Sequence, residues 1–294
     1  MIKQDEIFSV SRRKAIRACS ALAAGSLILP TPLAEAFPVR KKIFIGACDW
    51  SLEKRNEVAA LQVASEIGLD GVQLSLGSVE NNMHLRRKEV QKAYLEASKK
   101  YNVRIGGIAI GELNNVPYAT DPRTDAWVSD SIEVAAELGV KVILIAFFGN
   151  GDINENPDKQ KRVIDKFSKV MAKAESAGVI LGIESWMNAE SHLRIIEAVG
   201  SPNLKVYYDV ANSQKMGYDI YEEIKRLGSE MICEFHMKEN GFKLGEGKVD
   251  FGRVVSLMEE IKYEGWVQLE GSRPEGSSLL STYKDNLKFL RSQF

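Results

Sequence analysis

Eight short apolar runs recur along this chain at intervals of about one strand plus one helix, and that recurrence restricts the fold more than any other feature. They are KIFIGACDW (42–50), GVQLSL (71–76), RIGGIAIG (104–111), KVILIAFFG (141–149), VILGIES (179–185), KVYYDVAN (205–212), MICEFHMKE (231–239) and WVQLEG (266–271). Between them lie segments such as VQKAYLEASKKY and KQKRVIDKFSKVMAKAESAG, with apolar residues three and four apart, the period of an amphipathic helix. Gly68, Gly139, Gly178, Gly200, Gly228 and Gly265 precede the next strand, where a glycine closes a helix. Strands separated by helices pair in parallel. Eight such units predict an α/β fold, a single-domain (β/α)8 TIM barrel over 37–294. A doubly wound open sheet is the alternative, but its GxGxxG loop is missing after the first strand.

The first 36 residues stand outside this pattern. Arg12 and Arg13 form a twin-arginine pair, an apolar small-residue run follows from Ala18 to Leu29, and Ala34-Glu35-Ala36 has the form of a cleavage site. These features predict a twin-arginine export signal over 1–36, and hence a periplasmic or extracellular protein with no stable membrane association after cleavage. The remaining chain carries 34 Lys+Arg against 37 Asp+Glu, a net charge of −3. That balance argues against a nucleic-acid partner. Cys48 and Cys233 lie in apolar runs and read as buried small side chains, with their pairing left open.

Four of the runs end in a potential metal ligand. Strand five ends at Glu184, strand six at Asp209, strand seven at His236 and strand eight at Glu270. A carboxylate at the end of a buried strand costs several kcal/mol unless something compensates it. The spacings of 25, 27 and 34 residues each approximate one strand–helix unit, so in a closed barrel all four side chains meet at the C-terminal mouth. One histidine with three carboxylates suits one divalent cation, Mn2+ first, with Mg2+, Co2+ or Zn2+ as alternatives. Such an ion polarises an α-hydroxyketone, and a carboxylate on each face of it can remove and return a proton through an enediolate. The outcome is an epimer, an isomer or, with a leaving group β to the carbanion, an elimination product.

Glu234 and Gln268, two residues before His236 and Glu270, fall one layer below the metal. Lys238 follows His236 on the same side and is a candidate substrate contact. Trp50 and Trp186 sit just past strands one and five, where an aromatic ring stacks on a sugar or packs the mouth. Asn188 and Asn212 are candidate hydroxyl contacts. Arg273 is a candidate anion contact. His84 and His192 read as a solvated loop residue and a solvated helix residue.

LGIES with Glu184, YYDVAN with Asp209, FHMKEN with His236, the loop LGEGKVDF (244–251) and YEGWVQLE with Glu270 resemble the xylose-isomerase-like barrels, in their branch of sugar isomerases, ketose 3-epimerases and inosose dehydratases. The resemblance covers nearly all of 41–294. It implies one divalent metal held by Glu184, Asp209, His236 and Glu270, with Glu184 and Glu270 also acting as the acid/base pair. Asn212 stands where the epimerases carry a histidine, and Lys238 and Glu239 stand where an arginine is expected. The expected activity is a metal-dependent isomerase or epimerase of a keto-sugar. Export points to an unphosphorylated one. A metal-dependent lyase or hydratase acting on a 3-keto sugar or 3-keto glycoside is the alternative. The resemblance is compatible with a homo-oligomer. An abasic-site endonuclease of the same superfamily would need more than the three histidines present.

Overall fold

The computed structural model describes residues 43–294; the export signal assigned to 1–36 lies outside the described residues. Eight parallel strands close into a barrel in sequence order. They are β1 (Ile43–Cys48), β2 (Gly71–Ser75), β3 (Arg104–Ile110), β4 (Val142–Phe147), β5 (Ile180–Ser185), β6 (Leu204–Asp209), β7 (Ile232–Glu239) and β8 (Gly265–Gly271). Closure is made where β8 returns to β1, with Ile43 opposite Gly265 and Ala47 opposite Leu269. The helices are α1 (Ala60–Ile67), α2 (Lys88–Tyr101), α3 (Arg123–Leu138), α4 (Pro157–Ala177), α5 (Ala189–Val199), α6 (Val210–Lys215), α7 (Ile220–Met231), α8 (Phe251–Glu260) and α9 (Leu279–Arg291). The barrel read from the spacing is the barrel that forms.

Two local departures have physical causes. The run KVYYDVAN is not all strand: β6 stops at Asp209, whose Oδ1 accepts the amides of Ala211 and Asn212 and caps α6. Asn212 is therefore a helical residue. The glycines also divide. Gly68, Gly139, Gly178 and Gly200 end α1, α3, α4 and α5 in the left-handed conformation. Gly228, at φ 62 and ψ 176, instead breaks α7 one turn before its end.

Each strand is buried on both sides, and the two sides differ. Outward residues such as Ile45, Leu74, Ile145, Ile183, Phe235 and Leu269 pack under the helices in one continuous core. Tyr118, Phe147 and Phe167 interlock there with ring centroids 5.3 to 6.4 Å apart, each such buried side chain contributing roughly 1.5–3 kcal/mol. The inward apolar cluster is small: Ala109, Val142, Leu144, Ala146 and Tyr207. The inside of an eight-stranded barrel has room only for side chains, and here Gln73, Glu234 and Gln268 are buried with them. The inner layer is thus partly polar, and it sits directly below the mouth.

Candidate metal centre

Parallel strands all finish at one end, so β5, β6, β7 and β8 bring inward residues near their C-terminal ends together. Single donor atoms of Glu184, Asp209, His236 and Glu270 lie within 4.8 Å of one another, the one cluster of this kind among the described residues. His236 Nδ1 is 2.8 Å from Glu184 Oε1, 3.6 Å from Glu270 Oε2 and 3.9 Å from Asp209 Oδ2. Ligand bonds of about 2.0–2.6 Å separate donors by up to about 5 Å, so one divalent cation fits this span. Asp209 supplies an independent test. Its Oδ1 caps α6, but its Oδ2 is buried with no hydrogen-bond partner. The nearest cation is Lys238 Nζ, 3.6 Å away. A buried carboxylate oxygen left without a donor is costly, and a bound cation removes that cost. The residues present can hold the ion.

Charge in the cluster is unevenly shared. Burial, with Glu270 and Glu184 adding to it, lifts Asp209 to about 7 against the pull of Lys238. Burial works the same way on Glu270, but His236 and Lys238 outweigh it and bring that carboxyl down to about 2. Burial opposes protonation of His236 as well, yet its pKa is well above the ordinary histidine value. The Cys48 thiol is itself pushed up to about 12 by burial, so it is neutral. The charge that favours the imidazolium therefore comes from Glu184 and Glu270. Protons held here leave when a divalent cation enters.

A cavity of about 520 Å³ opens above the cluster, and Glu184, Glu270, Lys238, Trp50, Trp186 and Asn212 all line it. Lys238 donates to Glu270 Oε2 at 2.8 Å and Trp50 donates its indole N–H to Glu270 Oε1 at 2.9 Å. Trp50 is thus fixed by a catalytic candidate as well as forming wall. Trp186 packs edge-on against Phe148 at 5.3 Å. The β3 side of the cavity is made by Ala109, Glu112, Asn114 and Asn115. Asn188 is not among the lining residues. Its Oδ1 accepts the Ser191 amide and caps α5. Arg273 pairs with Glu53. Cys48 and Cys233 are both free thiols.

The two histidines read as solvated are buried. His84 is 6% exposed and packs edge-on against Tyr94, because Asn82 and Met83 take left-handed backbone and turn the segment inward. His192 is 4% exposed. Its Nδ1 lies 3.0 Å from Asn188 O and its Nε2 3.0 Å from Ser185 Oγ, which also accepts the Met187 amide. This clamp fixes the turn that follows Glu184. A second clamp went unread. Asp49 Oδ2 accepts the amides of Ser75 and Asn56, and Oδ1 accepts the Ser75 hydroxyl at 2.7 Å, tying the ends of β1 and β2 together. Its signal was available, since IFIGACD ends an apolar run in a carboxylate just as LGIE does.

Fold and site together define a (β/α)8 protein with a candidate divalent-metal centre at its C-terminal mouth. Residues 61–293 match the xylose isomerase-like TIM barrel family, and the chain belongs to that family. L-ribulose-5-phosphate 3-epimerase UlaE of Escherichia coli (strain SMS-3-5 / SECEC) is 24% identical over 225 residues, 70% of this chain and 78% of that protein. Among solved structures, D-psicose 3-epimerase with D-tagatose from Clostridium cellulolyticum H10 superposes with a TM-score of 0.73 at 16% identity, over 85% of this chain and 98% of that one. The apo form of 3-keto-D-glucoside 4-epimerase from Escherichia coli gives 0.69 at 17% identity, over 85% and 100%. Those structural likenesses speak for the fold.

Proposed function

We propose that this protein is a divalent-metal-dependent isomerase or epimerase of an unphosphorylated keto-sugar, working through an enediolate. The observation that carries the reading is the placement of two carboxylates, Glu184 on β5 and Glu270 on β8, against one cavity and one candidate metal centre. Relatives named as sugar epimerases support it.

Glu184, Asp209, His236 and Glu270 would hold the cation, with Mn2+ the first candidate given the mixed oxygen and nitrogen donors. When bound, such an ion supplies Lewis-acid stabilisation of the oxyanion that develops on a ketone. Glu184 and Glu270 then divide the proton transfer, one removing the proton next to the carbonyl and the other returning one. Trp50 and Lys238 hold both oxygens of Glu270 in place. The ammonium of Lys238 also faces the cavity, where it can donate to a sugar oxygen. Asn212 and Trp186 offer a hydrogen-bonding group and an aromatic face on the same wall. Export by the twin-arginine route, read from Arg12 and Arg13, supports a substrate without phosphate. Replacing both arginines by lysine and fractionating cells tests that location; unchanged export would refute it.

The test of the reaction is incubation with free ketohexoses in D2O, with and without chelator. Mn2+-restored deuterium incorporation with an epimeric or isomeric product is expected. Absence of exchange on every keto-sugar, with metal present, sinks the reading. The cavity extends from the acid pair to Asn114 and Asn115, more room than a single sugar ring fills. That extent favours, as a second reading, a lyase or hydratase on a 3-keto glycoside. Loss of the glycosidic substituent from such a substrate, rather than exchange alone, distinguishes it.

A further inference from the structure

Five polar or thiol side chains from five strands meet in the layer below the candidate ligands: Cys48 on β1, Gln73 on β2, Tyr207 on β6, Glu234 on β7 and Gln268 on β8. Each is at most 1% exposed. Two irregularities of the barrel fall at this layer, with the extra residue at Gly106 on β3 and at Cys233 on β7. The β2–β3 register slips between Val72, opposite Ile105, and Gln73, opposite Gly107. The β6–β7 register slips between Val206, opposite Ile232, and Tyr207, opposite Glu234. A bulge re-aims a side chain at the cost of one unpaired residue. Glycine makes the room, since a Cβ at Gly46 would lie 2.1 Å from Gln268 Oε1.

The hydrogen bonds run in one direction. Glu234 Oε2 accepts from Tyr207 Oη at 3.1 Å and from Gln268 Nε2 at 3.4 Å. With its proton given to Glu234, the Tyr207 oxygen accepts from Gln73 Nε2 at 3.0 Å. That fixes the Gln73 amide with its Oε1 toward His236 Nε2, 3.1 Å away; the Cys48 thiol donates to the same oxygen at 3.3 Å, and its sulfur also lies 3.3 Å from His236 Nε2. A flipped amide would present an N–H to Nε2 instead and favour the tautomer with its proton on Nδ1.

We propose that Gln73 is a positioning residue for the metal centre: by accepting the His236 Nε2–H it holds the ring so that Nδ1, which faces Glu184, Asp209 and Glu270, presents its lone pair there once its proton leaves on metal binding. This rests on the metal-centre reading above. An imidazole whose outer N–H is held in this way is oriented before the cation arrives, and loss of such a partner typically weakens metal binding by about 10–100-fold.

The test is calorimetric titration of Mn2+ into the full chain stripped with EDTA, for wild type, Gln73→Leu and Gln73→Glu. Both substitutions lose the donor to Tyr207, so both shift the melting temperature similarly. Only Gln73→Leu loses the oxygen acceptor for His236, leaving the weaker Cys48 sulfur at 3.3 Å. Its Mn2+ affinity falls about 10–100-fold, while Gln73→Glu stays within a few-fold of wild type. Unchanged affinity in Gln73→Leu, or an equal fall in both, overturns the proposal. If Gln73→Leu does not fold, Tyr207→Phe carries the test: it frees the Gln73 amide to flip, and several-fold weaker binding supports the proposal while unchanged binding overturns it. Failure of the wild-type chain to bind Mn2+ overturns the metal-centre reading and this proposal with it, whereas wild-type binding with unaffected variants overturns this proposal alone.

Discussion

The first four strands and the last four are the same structural unit repeated, yet their tips differ completely. β1 to β4 carry Cys48, Ser75, Ala109 and Ala146 at the ends of their inward faces; β5 to β8 carry Glu184, Asp209, His236 with Lys238 beyond it, and Glu270. Small tips leave the space that becomes the cavity, and Ser75, Ala109 and Ala146 line it. Charged tips fill the opposite side, where they can hold a cation. The barrel imposes convergence on both halves equally, so the division into wall and grip is written only in the size and charge of one residue per strand. It follows that the two halves should respond to different perturbations.

The sharpest break falls in the charged half. Glu184→Gln and Glu270→Gln each keep an oxygen ligand but remove a proton acceptor. General acid–base catalysis is worth about 10²–10⁴-fold, so each should lower the rate of C–H exchange on a keto-sugar by about a thousandfold, read by NMR in D2O. If either variant retained more than a tenth of the wild-type rate, that glutamate would be a ligand without a share in proton transfer.

That half was also the legible one. A carboxylate that terminates an apolar run has few inexpensive explanations, and four in succession at one strand–helix spacing have fewer, so Glu184, Asp209, His236 and Glu270 stand out in the bare sequence. The wall does not. Ala109 and Ala146 are ordinary strand residues whose contribution is the volume they leave, and an absence of side chain carries no sequence signal. Gln73 was visible as a polar residue inside GVQLSL, but its partner His236 lies 163 residues away and their meeting follows from tertiary pairing. His192 was misread because a histidine on an amphipathic helix looks the same whether its face meets water or a strand end; Ser185 and Asn188 decide the matter in space.

His192 gives the next largest effect. Burial brings its pKa down from 6.5 to about 4, so the folded state keeps it neutral where the unfolded chain protonates it. The stabilisation is complete above pH 6.5 and is lost as pH falls from there toward 4, a difference of roughly 3 kcal/mol. Urea unfolding at pH 7 and pH 4.5 should show a decline of about that size in the wild type beyond whatever His192→Gln shows. Equal declines in both would mean that the turn after Glu184 is not held by a neutral histidine. Metal addition acts on the same half from above. At a hundred times the dissociation constant, Mn2+ should add about 2.7 kcal/mol, several degrees in melting temperature. The added hydrogen-exchange protection should concentrate at the ends of β5 to β8. Uniform protection around the barrel would erase the distinction between the halves.

The smallest effect probes the wall alone. Ala146 stands opposite Glu184 in the β4–β5 register, is 2% exposed and lines the cavity, and it is not one of the four candidate ligands. Ala146→Leu projects new methyl groups into space the substrate is argued to use. A misfit of this kind costs about 1–3 kcal/mol of binding, so KM should rise at least tenfold while Mn2+ affinity and the deuterium-exchange rate at saturation change by less than threefold. The split between the two readouts is what matters. A wall residue acts on the substrate and leaves the cation in place, because the ligands hang from the other four strands. If Ala146→Leu weakened Mn2+ binding as strongly as it raised KM, the tips of β4 and β5 would belong to one cooperative structure, and the division of the mouth into a wall and a grip would have to be abandoned.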